Sequence, residues 1–439
     1  MGCSSSVPVQ AEPQAHRRNI RPNDVVQVPS QGLGPVQKSE KQEQQQENNS
    51  QVDIDTGKKK TSTQEQPIQD NDDGKLFEDV DFPATVETIT TDLSHEKYQL
   101  FKDAIWRRPP EIMNCNYDEI KVFDSIDVND IAQGILGNCY FLASLSGLAE
   151  EPQRVKPIIQ KSEINKNGKY GVRFYVRGVP TVITVDDRFP CFNYSPYEPL
   201  FSKPKGKELW AILIEKAWAK LFKSYSNIEA GTVEEALGHL TGAPSFSFKT
   251  DKHSDEEIWT RIKQADLKKY IIGASSRGDV QRSTGIVGNH AYTVVSVHEV
   301  QGYKLLKLRN PWGNFEWKGD FSDSSPLWTE SLKKAVGYED SDNGMFFMSL
   351  KDFRNYYEDY SIHHYYDGWH YCCLEQKSGP KHANYYKFSV DKPCEAYFRI
   401  HQKDPRFLSE TERESYKPSA ASFMIVKVEK DGRYKLVCK

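Results

Sequence analysis

Gln133–Leu142 reads QGILGNCYFL, and this stretch decides how the rest of the chain is read. Gly134 and Gly137 allow a tight, irregular loop, and Cys139 then opens an apolar run, Cys139–Glu150 (CYFLASLSGLAE), that suits a buried helix. A thiol at a helix N-terminus faces unpaired backbone N–H groups and the positive end of the helix dipole, which favours thiolate. Gln133, upstream across the glycine loop, offers a side-chain amide to a developing oxyanion. Most cysteines are small buried apolar residues, so a nucleophile needs partners elsewhere in the chain.

Two such partners follow in order. In Gly288-Asn289-His290-Ala291-Tyr292-Thr293-Val294-Val295 a histidine directly precedes an alternating strand, and in Arg309-Asn310-Pro311-Trp312-Gly313 an asparagine ends the next strand before a forced turn. Antiparallel strands joined by a short loop bring His290 beside Asn310, where Asn310 orients the imidazole and Trp312 screens their hydrogen bond from water. Nucleophile, base and orienter in the order Cys, His, Asn form the papain-type arrangement.

Working outward, Glu208–Phe222 (ELWAILIEKAWAKLF) has helical apolar spacing. Lys169–Val176 and Thr181–Val185 read as a hairpin around Arg177-Gly178-Val179-Pro180. After Gly231 the runs Tyr292–Val297, Lys304–Leu308 and Met345–Ser349 predict a largely antiparallel sheet. From about Tyr366, short strands are expected at Tyr385–Val390, Ala396–His401, Ser422–Val428 and Tyr434–Val437. They suggest a β-sandwich, although about 75 residues fall short of the usual module of ~100. The segment before residue 76 is rich in Gln, Glu, Lys, Asn, Ser and Pro, including KQEQQQENNS over 41–50, and predicts a disordered tail. The expected fold class is α+β, a two-lobed papain-like core followed by a short β-sandwich segment. Its divisions are a tail over 1–75, a helix-rich lobe over 76–228, a β-rich lobe over 229–362 and a C-terminal module over 363–439.

Composition excludes several classes. Lys+Arg 58 against Asp+Glu 62 gives a net charge of −4 with no basic stripe, so no nucleic-acid partner is expected. The apolar run Tyr140–Ala149 is well short of the ~20 residues that span a bilayer, and no apolar signal segment opens the chain. Eight cysteines among 439 residues are too sparse for a disulfide scaffold and fit a reducing, cytoplasmic setting. The polar mean hydropathy, −0.70, agrees with the long tail.

Met1-Gly2-Cys3-Ser4-Ser5-Ser6 fits the pattern for myristoylation at Gly2, with Cys3 as a palmitoylation site. Two acyl chains anchor stably where one does not, and Arg17, Arg18 and Arg21 add weak attraction to an acidic surface. A membrane surface is therefore an expected partner.

QGILGNCYFLASL, GNHAYTVVSV and LRNPWGNFEWKGDFSD, with ELWAILIEKAWAK and VDDRFP, resemble the signature segments of the calpain family of calcium-dependent cysteine proteases over about residues 95–360. The resemblance implies Cys139 as nucleophile, His290 as general base and acid, Asn310 as orienting residue and Gln133 as oxyanion donor. Protein substrates would be cut in a cleft between the lobes. It also implies one Ca2+ per lobe. Asp130 and Glu208 with backbone oxygens of Phe123 and Ser125 would form the first set, and Glu316 and Asp323 would belong to the second. Asn138 stands where the family usually has Asp, and Tyr140 where it has Trp. In the second calcium set Asn343 and Met345 fall where carboxylates are expected, leaving Asp340 or Asp342 as substitutes. No Asp-x-Asp-x-Asp-Gly loop occurs, so an EF-hand small subunit is not expected. The rival readings are a catalytically silent scaffold and a transglutaminase-type acyl transferase. The tract His363-His364 with His370, Cys372 and Cys373 matches no zinc spacing.

Overall fold

The computed structural model describes residues 54–55, 74–365, 368–369, 371–374, 386–389, 394–402, 404–408, 410–417, 421–422, 424–428 and 433–438. Apart from 54–55 and 74–75 the tail, with both acylation sites Gly2 and Cys3, lies outside the described residues.

The first lobe is built on two apolar helices, α1 (Cys139–Ala149) and α2 (Trp210–Leu221). Both are buried almost all round, as their continuous apolar sequence requires. They pack with the hairpin β1 (Lys169–Val176) and β2 (Val179–Asp186) into one core. That hairpin turns at Arg177 and Gly178 alone, both at positive φ (52° and 77°), so Val179 and Pro180 belong to the second strand. A two-residue turn with left-handed φ matches the strand twist and needs no longer loop. Helix α3 (Val233–Thr241) also packs into this core, through Val233, Ala236, Leu237 and Leu240.

The second lobe is a six-stranded antiparallel sheet. Its strands are β3 (Ser245–Lys249), β4 (Ile271–Ser276), β5 (Ala291–Val300), β6 (Tyr303–Arg309), β7 (Met345–Ser349) and β8 (Tyr357–His363), in spatial order β7-β6-β5-β4-β8-β3. Helix α4 (Asp255–Leu267) covers one face, with Ile258, Trp259, Ile262 and Ala265 in a second core. Strand alternation divides β4 between the layers: Ile272 and Ala274 join the α4 side, while Ile271 lies in the core that holds α1. At Gly147 of α1 an added Cβ would overlap Ile271 Cγ2, so the helix can lie this close to the sheet only with glycine there. Thr293 Oγ1 of β5 also donates to the Ala143 carbonyl at 2.7 Å. The helix headed by Cys139 is thus seated on the sheet that carries the other two candidate residues.

The C-terminal module differs from its sequence reading. Ala396–His401 is described and contains no strand. The described residues hold one two-stranded hairpin (Ile425–Val428 with Tyr434–Cys438) and a pairing of Lys387–Phe388 with Ile54–Asp55, and form no two-sheet sandwich. Residues 394–402 and 404–408 instead lie along both lobes, with Tyr397 against Phe246 of β3. Phe407 stacks on Phe222 at 4.9 Å, and Arg399 Nη1 donates to the Ala243 carbonyl at 2.7 Å. Contacts with a neighbouring lobe stand in for the core that so short a segment cannot build alone. No helix among the described residues is long and apolar enough to cross a membrane.

Candidate active site

Cys139 is the first residue of α1, behind the loop 133–138. That loop is fixed on several sides. A Cβ at Gly134 would overlap the carbonyl oxygens of Leu200 and Phe201, Ile135 N–H donates to Leu200 O at 2.9 Å, and Ala230 N–H donates to Gly137 O at 2.9 Å. Asn138 is fully buried and donates from Nδ2 to Glu215 Oε1 at 2.7 Å. Glu215 also accepts from Ser202 N–H and Oγ at Oε2, so Asn138 supplies the donor to the other oxygen of a buried carboxylate. Tyr140 is accommodated against Gly231, with its hydroxyl donating to Ile228 O and accepting from Trp218 Nε1. Tyr140 is therefore satisfied locally, whereas Asn138 is bonded through Nδ2 only and its Oδ1 is buried without a partner.

His290 immediately precedes β5 and Asn310 immediately follows β6. The strands turn at Gln301 and Gly302, both at positive φ, and pair in a register that places Thr293 opposite Arg309. His290 Nε2 and Asn310 Oδ1 are 2.8 Å apart in a buried hydrogen bond. Asn310 is held by three further bonds, two from its Nδ2 to the carbonyls of Asn314 and Phe315 and one from Trp312 N–H to its Oδ1. With Oδ1 fixed as acceptor, Nε2 carries the imidazole proton and Nδ1 remains basic. The Trp312 ring lies 5.0 Å from the His290 ring and covers it as expected.

The electrostatics differ from the sequence expectation in one respect. Burial pushes the Cys139 thiol above its ordinary value, and the N–H groups of Ala291, Tyr140 and Cys139 itself offset this only partly. Burial also lowers His290 to about 4, against the opposing hydrogen bond from Asn310. Desolvation outweighs the helix terminus, so thiol and imidazole are both neutral near pH 7. Among the described residues no hydrogen bond joins Cys139 to His290; the Cys139 thiol is approached by the N–H of Ala291, the next residue along the chain. Gln133 Nε2 donates to Leu136 O at 2.6 Å, which leaves one amide proton free, and Gln133 Oε1 is buried without a partner.

Arg309, which carried no signal beyond its place before Asn310, ties the lobes together. It is 1% exposed and donates to Ser146 Oγ on α1 at 2.7 Å and to Ile131 O at 2.8 Å. Gln133 N–H adds a bond to Pro311 O at 3.2 Å.

The two carboxylate sets lie at the ends of this framework. Glu208 accepts from Asp124 and Ser125 N–H, and its carboxyl is raised by burial and by the charges of Asp130 and Asp124. Asp130 is likewise raised by burial. The carbonyls of Phe123 and Ser125 have no protein donor among the described residues. Two buried acids that repel each other beside free carbonyl oxygens suit a hard divalent cation. In the second set Glu316 accepts from the N–H groups of Asn343 and Gly344 and is raised to about 7 by burial, by a hydrogen bond with Asp323 and by the charges of Asp323 and Asp342. Asn343 Oδ1 is engaged by Met345 N–H, and Met345 is paired in β7, so from the loop 340–345 it is Asp342 whose charge acts on Glu316, beside that of Asp323. Among the described residues no three His, Cys, Asp or Glu side chains converge as a preformed metal cluster, so either set would complete its shell with backbone oxygens. His363 is a satisfied core residue, bonded to Thr241 and Ser245 hydroxyls, and His364 bonds Tyr397.

The calpain family cysteine protease model matches residues 77–364. The calpain-type cysteine protease DEK1 of Zea mays is 36% identical over 295 residues, covering 63% of this chain and 13% of the maize protein. Calpain-14 of Homo sapiens is 33% identical over 323 residues (67% and 45%), and calpain-9 of Mus musculus 30% over 305 (66% and 43%). The chain spans less than half the length of these relatives. With a family match over most of its length and over both lobes that bear Cys139, His290 and Asn310, the chain belongs to the calpain family of cysteine proteases.

Proposed function

We propose that this chain is a calcium-dependent cysteine endopeptidase that makes limited cuts in protein substrates. The observation that carries the reading is the buried 2.8 Å His290–Asn310 bond beside the helix headed by Cys139. Cys139 Sγ attacks the scissile carbonyl carbon as His290 Nδ1 takes the thiol proton, and the oxyanion is met by the Cys139 N–H and the free proton of the Gln133 amide. His290 then gives its proton to the leaving amine as the C–N bond breaks. Water, deprotonated by His290, hydrolyses the thioester and returns the thiol. A base that is neutral above about pH 4 is available throughout the physiological range.

Asp130 and Glu208, with the Phe123 and Ser125 carbonyls, would hold one Ca2+, and Glu316, Asp323 and Asp342 would contribute to a second. Bound calcium supplies positive charge that cancels the repulsion within each set. Drawing these loops in would act on the triad through Arg309 and Gln133, which join the Asp130 segment to the end of β6.

We further place the protein in the cytoplasm, at a membrane surface, anchored by acylation of Gly2 and Cys3. Support for this is the Met-Gly-x-x-x-Ser pattern with its adjacent cysteine. Loss of membrane partition in Gly2→Ala and Cys3→Ser would agree, and unchanged partition would remove the anchor.

The protease reading is tested by a peptidyl vinyl sulfone, which alkylates an activated thiol, followed by peptide mapping. Labelling of Cys139 that rises with calcium and is lost in His290→Ala is expected. Equal labelling of Cys372 and Cys139, insensitive to His290, would contradict it.

A further inference from the structure

Beside the catalytic histidine stands a cation that the reaction does not use. Arg282 begins the short turn Arg282–Thr284 between β4 and β5 and is exposed. Its guanidinium lies 5.4 Å from the ring centre of Trp312 and 4.8 Å from that of Phe315. Two aromatic faces hold a flexible side chain in place while its N–H groups remain free at the edges. Among the described residues the guanidinium makes no ion pair or hydrogen bond, and Asp279, in the same loop, makes none with it. Arg277, the other arginine of this loop, is turned inward to the carbonyls of Asn355 and Arg354 and to Thr250.

Placement gives this cation a direction. His290 hands its proton to the leaving amine, so the elements stacked beside the imidazole face the substrate residues C-terminal to the scissile bond. Trp312 lies 5.0 Å from the imidazole and Arg282 lies against Trp312. The guanidinium is therefore within about 10 Å of the catalytic ring, which is two to three residues of extended chain at about 3.4 Å each.

We propose that Arg282 forms a substrate subsite for an acidic side chain two or three residues beyond the scissile bond on its C-terminal side. The planar, pre-positioned guanidinium accepts a carboxylate in its fork, and Trp312 with Phe315 sets the plane of that pairing. The proposal rests on the protease reading above and adds a sequence preference to it.

The test uses the full chain with calcium and matched peptides that differ only in carrying Glu, Gln or Lys at the second or third position after the cleaved bond. For wild type, kcat/KM for the Glu peptide should exceed that for the Gln peptide by about 3- to 5-fold, as for a solvent-exposed charge pair. The ratio should shrink in high salt. Arg282→Glu should invert the order so that Lys exceeds Glu, and Arg282→Gln should bring the Glu-to-Gln ratio to one. Each ratio is read within one variant, so a general loss of activity cancels. A wild-type ratio of one at both positions, or a ratio unchanged in Arg282→Glu, overturns the subsite while the cleavage itself upholds the protease. Failure of wild type to cut any of the peptides removes the protease reading and the subsite with it.

Discussion

Asn310 touches no substrate atom in the proposed reaction and acts by holding His290. Replacing it with Ala removes a buried hydrogen bond worth about 1–3 kcal/mol. We expect kcat to fall by roughly 5- to 150-fold, with KM little changed, because substrate contacts remain. Steady-state kinetics on one peptide would check this, and a loss confined to KM would contradict the positioning role. At this scale Cys139, His290 and Asn310 were legible as a candidate set, since nucleophile, base and orienter chemistry calls for particular residue types in order. It was less legible for ionisation, because nothing in Gly137-Asn138-Cys139 reveals that burial outweighs the helix terminus. The partner of Asn138 was hidden for the same reason: Glu215 lies 77 positions away and meets it only in the fold.

Among the elements, α1 and its seat on the sheet are the most sensitive. Gly147→Ala forces a methyl group against Ile271, an overpacking that typically costs about 1–3 kcal/mol. The cost should fall sharply in an Ile271→Ala background, and denaturant titration of the four proteins of the cycle would show it. Additive losses would mean that the two residues do not press on each other. Helix α1, the β1–β2 hairpin and strands β5, β6 and β7 were readable from unbroken apolar or alternating runs. Helix α4 was not singled out, although Ser254 and Glu257 form a capping box, each side chain bonding the other's backbone N–H. That signal stands at the start of DEEIWTRIKQADL and marks the helix N-terminus. Strand β8 (YEDYSIH) lacks strict alternation because a register shift between Tyr357 and Asp359 puts Tyr357 and Tyr360, three positions apart, in the same core.

For the whole molecule, two consequences follow from what is buried between the layers. Arg309→Met strands Ser146 Oγ and the Ile131 carbonyl, so we expect a stability loss of about 1–3 kcal/mol and a fall in kcat, with Arg309→Lys recovering only part. Unfolding curves together with kinetics would check this, and full activity in Arg309→Met would rule out a link between the lobes. The second consequence concerns pH. Burial holds His290 and His239 at about 4, below their ordinary 6.5. The unfolded chain therefore takes up these protons first, and the stability they reflect is complete above about pH 6.5 and is lost as the pH falls towards 4. Each histidine accounts for up to about 3 kcal/mol of that fall. His239→Gln should make the slope of unfolding free energy between pH 6.5 and 4 shallower, and an unchanged slope would contradict the assignment. The C-terminal module was legible in part: the runs Ser422–Val428 and Tyr434–Val437 overlap the strands of its described hairpin, whereas Ala396–His401 satisfies a strand pattern yet forms none, and its Arg399 bonds the Ala243 carbonyl instead.

The central claim is that calcium and Cys139 together produce proteolysis. Casein cleavage by the full chain across a calcium titration, with Cys139→Ala in parallel, tests it most directly. The account predicts cleavage that requires both, with Asp130→Asn and Glu208→Gln shifting the titration to higher calcium. Well-folded wild type that cuts nothing at saturating calcium, or a Cys139→Ala protein that still cuts, would contradict it.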